Sequence, residues 1–144
     1  MILDFIISGN QEDPAGNPIP KVKLTRQQQW NPKAQRYAGW KQYVQAALQP
    51  HLIALAADMP VIDAKKILKG GGRYLKPITL SGDLRMDIMI FWADETHADP
   101  ESIYGSIADA IFVDDKHLKG SFDFSHAEDK KGRVEVKITI PDHE

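Results

Sequence analysis

Four acidic residues in the second half of the chain have the types and spacing for metal chemistry. Asp99 and Glu101 begin a predicted helix, and Asp114 and Asp115 follow the same helix. If the chain doubles back there, the four carboxylates meet and repel one another unless a divalent cation is present. Hard oxygen ligands suit Mg²⁺ or Mn²⁺, and metal-assisted hydrolysis of a phosphodiester is the chemistry that follows. The stretch Asp99-Pro100-Glu101 is equally typical of an ordinary capped helix, so both interpretations stay open.

A basic segment with aromatic residues in the first half offers a second constellation. Its cations neutralise phosphates or are merely solvated, and Trp30 and Tyr37 either stack on bases or pack in the interior. Tyr37 falls on an apolar helix stripe, which favours packing for that residue. The basic candidates are Lys21, Lys23, Arg26, Lys33, Arg36, Lys69 and Arg73.

Composition narrows the classes of protein. Residues 1–80 hold eleven Lys/Arg against five Asp/Glu, a net charge of +6, whereas residues 81–144 hold seven against fifteen, a net charge of −8. Such asymmetry is a hint of polyanion binding beside an acidic site. The sequence contains no cysteine, which excludes disulfides, thiolate metal sites and a cysteine nucleophile, and fits a reducing cytoplasm. No apolar run approaches the ~18–20 residues of a membrane helix, and no signal peptide is predicted.

A triple-glycine stretch and one histidine are weaker signals of function. The stretch Gly70-Gly71-Gly72-Arg73 lacks the Gly-Lys-Ser/Thr ending of a phosphate-binding loop, so no nucleotide cofactor is expected. His97 lies close to the acidic residues in sequence and is a candidate metal ligand or proton shuttle. A histidine in a loop more often has neither role.

Hydropathy patterns predict the elements that must position these residues. The first half shows a buried strand at 2–8, a Gly/Pro-rich loop at 9–36, a helix at 34–48 that Pro50 ends or kinks, a helical piece at 51–58 and a short helix at 61–68. The second half shows strands at 76–80 and 84–92, a polar loop at 93–99, a helix at 100–111, a connector at 112–119, and a strand pair at 120–125 and 133–140 joined by a charged turn.

This order of elements predicts a single domain over residues 1–144, of mixed α/β (α+β) class, with a small mixed sheet flanked by helices. The N-terminus of the helix at 100–111 is the most clearly predicted element boundary, since Asp99 suits the N-cap and Pro100 suits the first helical position.

The motifs of the second half resemble those of RusA-type Holliday junction resolvases. The matching stretches are Asp99-Pro-Glu101-Ser-Ile, Ile107-Ala-Asp109-Ala-Ile111 and Phe112-Val-Asp114-Asp115. About 20 residues match closely, and the opening strand, basic loop and Tyr-containing helix match loosely.

The resemblance implies a RusA-like fold and a Mg²⁺-dependent endonuclease of DNA recombination and repair. The enzyme would act as a homodimer on four-way junctions or other branched DNA, in the cytoplasm of bacteria or encoded by a phage or prophage. Asp99, Glu101 and Asp115 then take the catalytic positions, with Asp114 beside them as a further metal ligand. The basic residues take the role of binding DNA.

Two positions depart from the family's pattern. Glu101 stands where the family has a second Asp, and Gly105 stands where it has a Lys one helical turn later. Lys116 and Lys119 are candidates to replace that cation. The alternative function is therefore a catalytically weak or silent junction-binding protein of the same fold. An acidic interaction module unrelated to DNA explains the acidic half of the chain but not the basic loop.

Overall fold

A computed structural model of the chain describes residues 1–23, 30–59, 67–69, 79–82, 84–113 and 118–140. Its elements are β1 (Ile2–Ser8), α1 (Pro32–Asp58), β2 (Leu68–Lys69), β3 (Thr79–Leu80), β4 (Arg85–Trp92), α2 (Pro100–Ile111), β5 (Lys119–His126) and β6 (Arg133–Thr139). The mixed α+β class predicted from the sequence is confirmed.

Four strands form the main sheet in the order β1-β6-β4-β5. The β1–β6 and β6–β4 pairs are antiparallel, and β4–β5 is parallel. The parallel pair requires a crossover connection, which α2 supplies between β4 and β5. The short strands β2 and β3 form a separate antiparallel pair.

The two faces of the main sheet differ sharply in burial. Alternate apolar residues of β1, β4 and β6 share one core cluster with both helices, including Trp40, Leu48 and Ile107, each of which is fully buried. We call this side the helix face. On the other side, which we call the open face, Ile6 of β1 remains 55% exposed.

Helix α1 continues through Pro50, and the predicted end or kink at that residue is therefore wrong. Proline lacks an N–H and typically costs a helix interior about 3 kcal/mol. Fully buried Leu48 and Leu52 lie on either side of it and anchor both halves in the core. The helix also begins two residues earlier than predicted, at Pro32, where the Asn31 side chain accepts the Lys33 N–H at 3.0 Å.

Two further predictions need correction. The strands predicted at 120–125 and 133–140 exist, but β5 and β6 do not pair with each other, because β4 lies between them. Strand β4 carries apolar residues on both faces towards its end and takes the more protected position. Leu68, predicted to end a helix, lies in β2, while most of that helix and residues 76–78 of the predicted strand lie outside the described residues.

Residues 9–20 follow β1 and are held to the loop before α2 by side-chain hydrogen bonds. Buried Asn10 accepts the N–H groups of Glu12 and Asp13 and donates to the Asn17 carbonyl. Asn17 in turn accepts the Ala93 N–H at 2.6 Å and donates to Asp94. These contacts fix residues 9–20 against the loop that precedes α2.

Candidate functional site

The first turn of α2 carries the acidic pair that the sequence singled out. Asp99 is the N-cap, and its Oδ1 accepts the Glu101 N–H at 3.2 Å. Pro100 is the first helical residue, as predicted. Both carboxylates are exposed, and in the described part of the chain neither takes part in an ion pair. The cap uses one oxygen of Asp99, so Asp99 Oδ2 and both oxygens of Glu101 remain open to a ligand.

Two of the predicted basic residues lie beside this helix turn. The backbone of residues 21–23 runs along α2, where the Lys21 N–H donates to the Ser102 carbonyl at 3.0 Å. Side chains from both segments line an open groove of about 380 Å³, which we call the α2 groove. Its residues are Lys21, Lys23, Glu101, Ser102, Tyr104 and Gly105. The fold therefore brings two cations and one carboxylate together from positions far apart in sequence.

Gly105 lies directly under the Lys21 side chain. A Cβ added at position 105 would meet Lys21 Cδ at 3.4 Å and Lys21 Cβ at 3.9 Å. The bare helix surface therefore lets the aliphatic stem of Lys21 cross the helix one turn after Glu101. At the position where the resemblance implies a lysine on the helix itself, a lysine from the N-terminal segment occupies the space.

Tyr104 links the same helix turn to the start of β5. Its hydroxyl donates to the Met86 carbonyl at 2.8 Å and lies 3.5 Å from the Lys119 carbonyl oxygen. Lys119, four residues after Asp115, therefore lies within reach of the Tyr104 side chain of α2. Asp114, Asp115 and Lys116 themselves lie outside the described residues, so their predicted meeting with Asp99 and Glu101 stays a prediction.

The other predicted cations lie apart from the α2 groove or outside the description. Arg36 is paired with Glu12, and Lys33 is exposed in the first turn of α1. Lys69 lies on the short strand β2. Lys119, a candidate replacement for the missing lysine, is in register with Arg85, so its side chain lies on the open face, opposite to the face that α2 covers. Arg26 and Arg73 lie outside the described residues.

The aromatic candidates divide between surface and core. Trp30 is 78% exposed immediately before α1, whereas Tyr37 is buried and donates a 2.7 Å hydrogen bond to Asp109 Oδ2. Lys41 lies 3.6 Å from the same carboxylate. Asp109, part of the resemblance motif, therefore helps to fasten α1 to α2. Of the two aromatic side chains, only Trp30 is exposed.

His97 is held by aromatic stacking. Its ring lies parallel to Trp92 at 4.1 Å between centroids, and its Nδ1 lies 3.0 Å from the Ala98 carbonyl oxygen. Together with Arg36 and Asp94 it lines a polar depression of about 410 Å³. This arrangement assigns His97 to the loop packing and gives no geometric support for its role as a metal ligand.

The sequence did not reveal two residues that organise the site. Tyr104 stood among the apolar residues of a predicted helix, where its spacing of three from Glu101 was the one available signal. Asn17 lay in a Gly/Pro-rich loop with no pattern to distinguish it. The Lys21–Gly105 contact joins residues 84 positions apart, so no local sequence pattern predicts it.

Comparison of the chain with models of known protein families and with curated proteins gives no match. Within the described ranges, no three His, Asp or Glu side chains are grouped closely enough to hold a metal ion. The same ranges contain no helix with the length and apolar character needed to cross a bilayer.

Proposed function

We propose that this protein is a metal-dependent endonuclease of branched DNA, related to RusA-type Holliday junction resolvases. The observation that carries the proposal is the α2 groove, where Lys21 and Lys23 lie beside Glu101, two residues after the N-cap Asp99. A phosphodiester needs both kinds of group, since cations bind its charge and carboxylates hold the metal that promotes its hydrolysis. The motif resemblance supports the same conclusion independently of the groove.

The metal of the proposed enzyme is Mg²⁺ or Mn²⁺. Mg²⁺ is commonly held by one or two carboxylates together with substrate phosphates and water, so a site need not contain three protein ligands. Asp99 and Glu101 provide the two carboxylates, and Asp114 and Asp115 are proposed to complete the set. When bound, Mg²⁺ or Mn²⁺ supplies Lewis-acid stabilisation of charge at the phosphate.

The cations of the groove would bind the substrate. The Lys21 stem lies against α2 at Gly105, in the groove that Glu101 also lines. Lys21 would then contact a non-bridging phosphate oxygen and offset the charge that develops there. Lys23 would contact a neighbouring phosphate. Neither lysine forms an ion pair with another described residue that would have to break first.

The proposed homodimer and the role of Trp30 are inferred from the structure of a four-way junction. A four-way junction has two-fold symmetry, and a homodimer presents two equivalent sites that make paired cuts. Exposed Trp30 beside the basic segment would stack on an unpaired base at the branch point. The proposed setting is recombination and repair in the cytoplasm of a bacterium or its phage.

Cleavage of a synthetic four-way junction tests the proposal. The assay contains Mg²⁺ or Mn²⁺, then EDTA, with linear duplex beside it. The site variants Asp99→Asn, Glu101→Gln and Asp115→Asn should abolish cutting, and asparagine at position 99 keeps a good N-cap, so the fold survives. Matched controls are Asp58→Asn and Glu95→Gln, which change exposed carboxyls away from the groove and should leave cutting intact.

Each outcome separates the candidate functions. Metal-dependent cutting lost only in the site variants supports the nuclease. Tight, salt-sensitive junction binding without cutting replaces it with a silent junction-binding protein, the function that Gly105 suggests. Absence of any affinity for branched DNA at low salt overturns both.

A further inference from the structure

Among the described residues, strand β5 has a neighbouring strand on one side only, so its outer edge is unpaired. It is the last strand of the sheet, and all eight of its residues are exposed. Phe122 and Phe124 remain 42% and 51% exposed, although α2 packs nearby. A long edge strand with exposed aromatics is a ready template for pairing with another strand.

The hydrogen bonds of β5 show which groups face outward. The N–H of Lys119 donates to the Leu84 carbonyl and the N–H of Ala127 donates to the Trp92 carbonyl, so the odd-numbered residues bond towards β4. The even-numbered residues Gly120, Phe122, Phe124 and His126 therefore direct their backbone groups away from the sheet. The Phe124 N–H meets its own neighbour, Asp123 Oδ1, at 2.8 Å, a local substitute for a strand partner.

We propose that β5 pairs antiparallel with β5 of a second copy, about a two-fold axis at Ser121. In this register Lys119 of each copy lies opposite Asp123 of the other. Both residues lie on the open face, since they are in register with Arg85 and Met89 of β4. The pairing joins the two four-stranded sheets into one of eight strands.

Charge selects this register among the alternatives. Apart from His126, strand β5 has two ionisable side chains, Lys119 and Asp123, which are four residues apart. A two-fold axis at Ser121 places them opposite each other twice. An axis at Phe122 leaves both without a charged partner, and an axis at Asp123 sets two carboxylates against each other, which is destabilising.

The helix face supports the same register. With the axis at Ser121, Gly120 lies opposite Phe122 and Leu118 opposite Phe124. Leu118 and Phe124 then form an apolar cross-strand pair on this face. Charged residues on an edge often prevent pairing altogether. Here their opposite signs and their spacing instead match a second copy of the same strand.

Cysteine cross-linking tests the register directly, because the chain has no cysteine of its own. Ser121→Cys places two thiols in a non-hydrogen-bonded antiparallel pair, with Cα atoms about 4.5 Å apart, within disulfide range. Mild oxidation should convert this variant to a covalent dimer. The matched control Ser125→Cys sits on the same strand and face, but its two copies would lie roughly 26 Å apart and should not cross-link.

Charge reversal tests the same surface without oxidation, by sedimentation velocity over a range of protein concentrations. Asp123→Lys or Lys119→Asp alone should raise the dimer Kd about tenfold or more, and the double exchange Lys119→Asp/Asp123→Lys should restore dimerisation. Circular dichroism checks that each variant is folded. A monomeric wild type, equal cross-linking of both cysteine variants, or a dimer indifferent to the reversals would overturn the interface.

The inference gives a surface to the homodimer of the proposed function. The cross-linking and sedimentation experiments are done without DNA, and the cleavage assay does not depend on which surface forms the dimer. A failure of the interface and a failure of the proposed function can therefore be told apart.

Discussion

Lys21 is the residue of the proposed site whose role in DNA binding can be tested most directly. It lines the same groove as Glu101, its stem crosses Gly105, and its ammonium group forms no ion pair within the described ranges. A lysine that contacts one phosphate contributes a definite share of the salt dependence of DNA binding, whatever the DNA sequence.

We therefore expect Lys21→Gln to reduce the slope of log Kobs against log salt by about 0.9 and to weaken junction binding at low salt. Fluorescence anisotropy at several salt concentrations measures both. Lys131→Gln is the matched control, since Lys131 is exposed in the turn between β5 and β6, away from the α2 groove. Equal slopes for both variants would remove Lys21 from the DNA interface.

Gly105 provides a test of the same contact by stability. Alanine at a helical glycine position typically stabilises a protein by about 0.4–1 kcal/mol, and here the new Cβ would meet only the flexible Lys21 side chain at 3.4 Å. Gly105→Ala should raise the free energy of unfolding by that amount in urea titrations. Gly105→Leu should instead displace Lys21 and weaken junction binding. Destabilisation by alanine would show that the helix and residues 21–23 are packed more tightly than these distances imply.

At the scale of elements, Asp87 holds the beginning of β4 to β5. Its carboxylate accepts two hydrogen bonds from Arg85 at 2.9 Å and two from Ser121, at 3.0 Å from the N–H and 2.8 Å from the hydroxyl. Partial burial by itself raises the pKa of Asp87, but the hydrogen bonds from Arg85 and Ser121 outweigh it. The net pKa is below the ordinary value of 3.8.

A carboxyl whose pKa is lowered by folding stabilises the protein above its unfolded pKa and loses that effect as the pH falls through its folded pKa. Asp87→Asn should therefore lower the free energy of unfolding by about 1 kcal/mol at pH 7. The difference from wild type should shrink as the pH falls below about 4. Urea denaturation at pH 7, 5 and 3 measures it, with Asp58→Asn as the exposed control. A difference independent of pH would contradict the charged contact.

The elements also show where local sequence patterns suffice. Helix α2 was predicted with its bounds and its N-cap Asp99, because capping and apolar periodicity are local properties. The passage of α1 through Pro50 was missed, since it depends on distant core residues that anchor both halves. The pairing of β5 with β4 was missed for a similar reason, because strand order is decided by competition among all the strands.

At the scale of the whole molecule, the charge asymmetry of the sequence does not persist as two separate regions. Basic Lys21 lies beside acidic Glu101, Lys41 pairs with Asp109, and strand β1 of the basic half pairs with β6 of the acidic half. The fold interleaves the two halves. Within the described ranges, positive charge therefore meets the candidate acids at a local groove rather than across a basic face.

If both proposals hold, dimerisation and the outcome of cleavage are coupled. Two sites in one dimer cut both strands of a junction during one encounter, whereas a monomer cuts one strand and dissociates. On a supercoiled plasmid with an extruded cruciform, paired cuts give linear DNA and single cuts give nicked circles.

Asp123→Lys should therefore shift the product from linear to nicked plasmid at protein concentrations where the wild type gives mostly linear DNA. The exchange Lys119→Asp/Asp123→Lys should restore the linear product, because it restores both cross-copy charge pairs without restoring either original residue. Asp58→Lys is the control for added positive charge elsewhere on the surface. Linear product from a demonstrably monomeric Asp123→Lys variant would show that the paired cuts do not depend on β5, and would place the two active sites on a different two-fold arrangement.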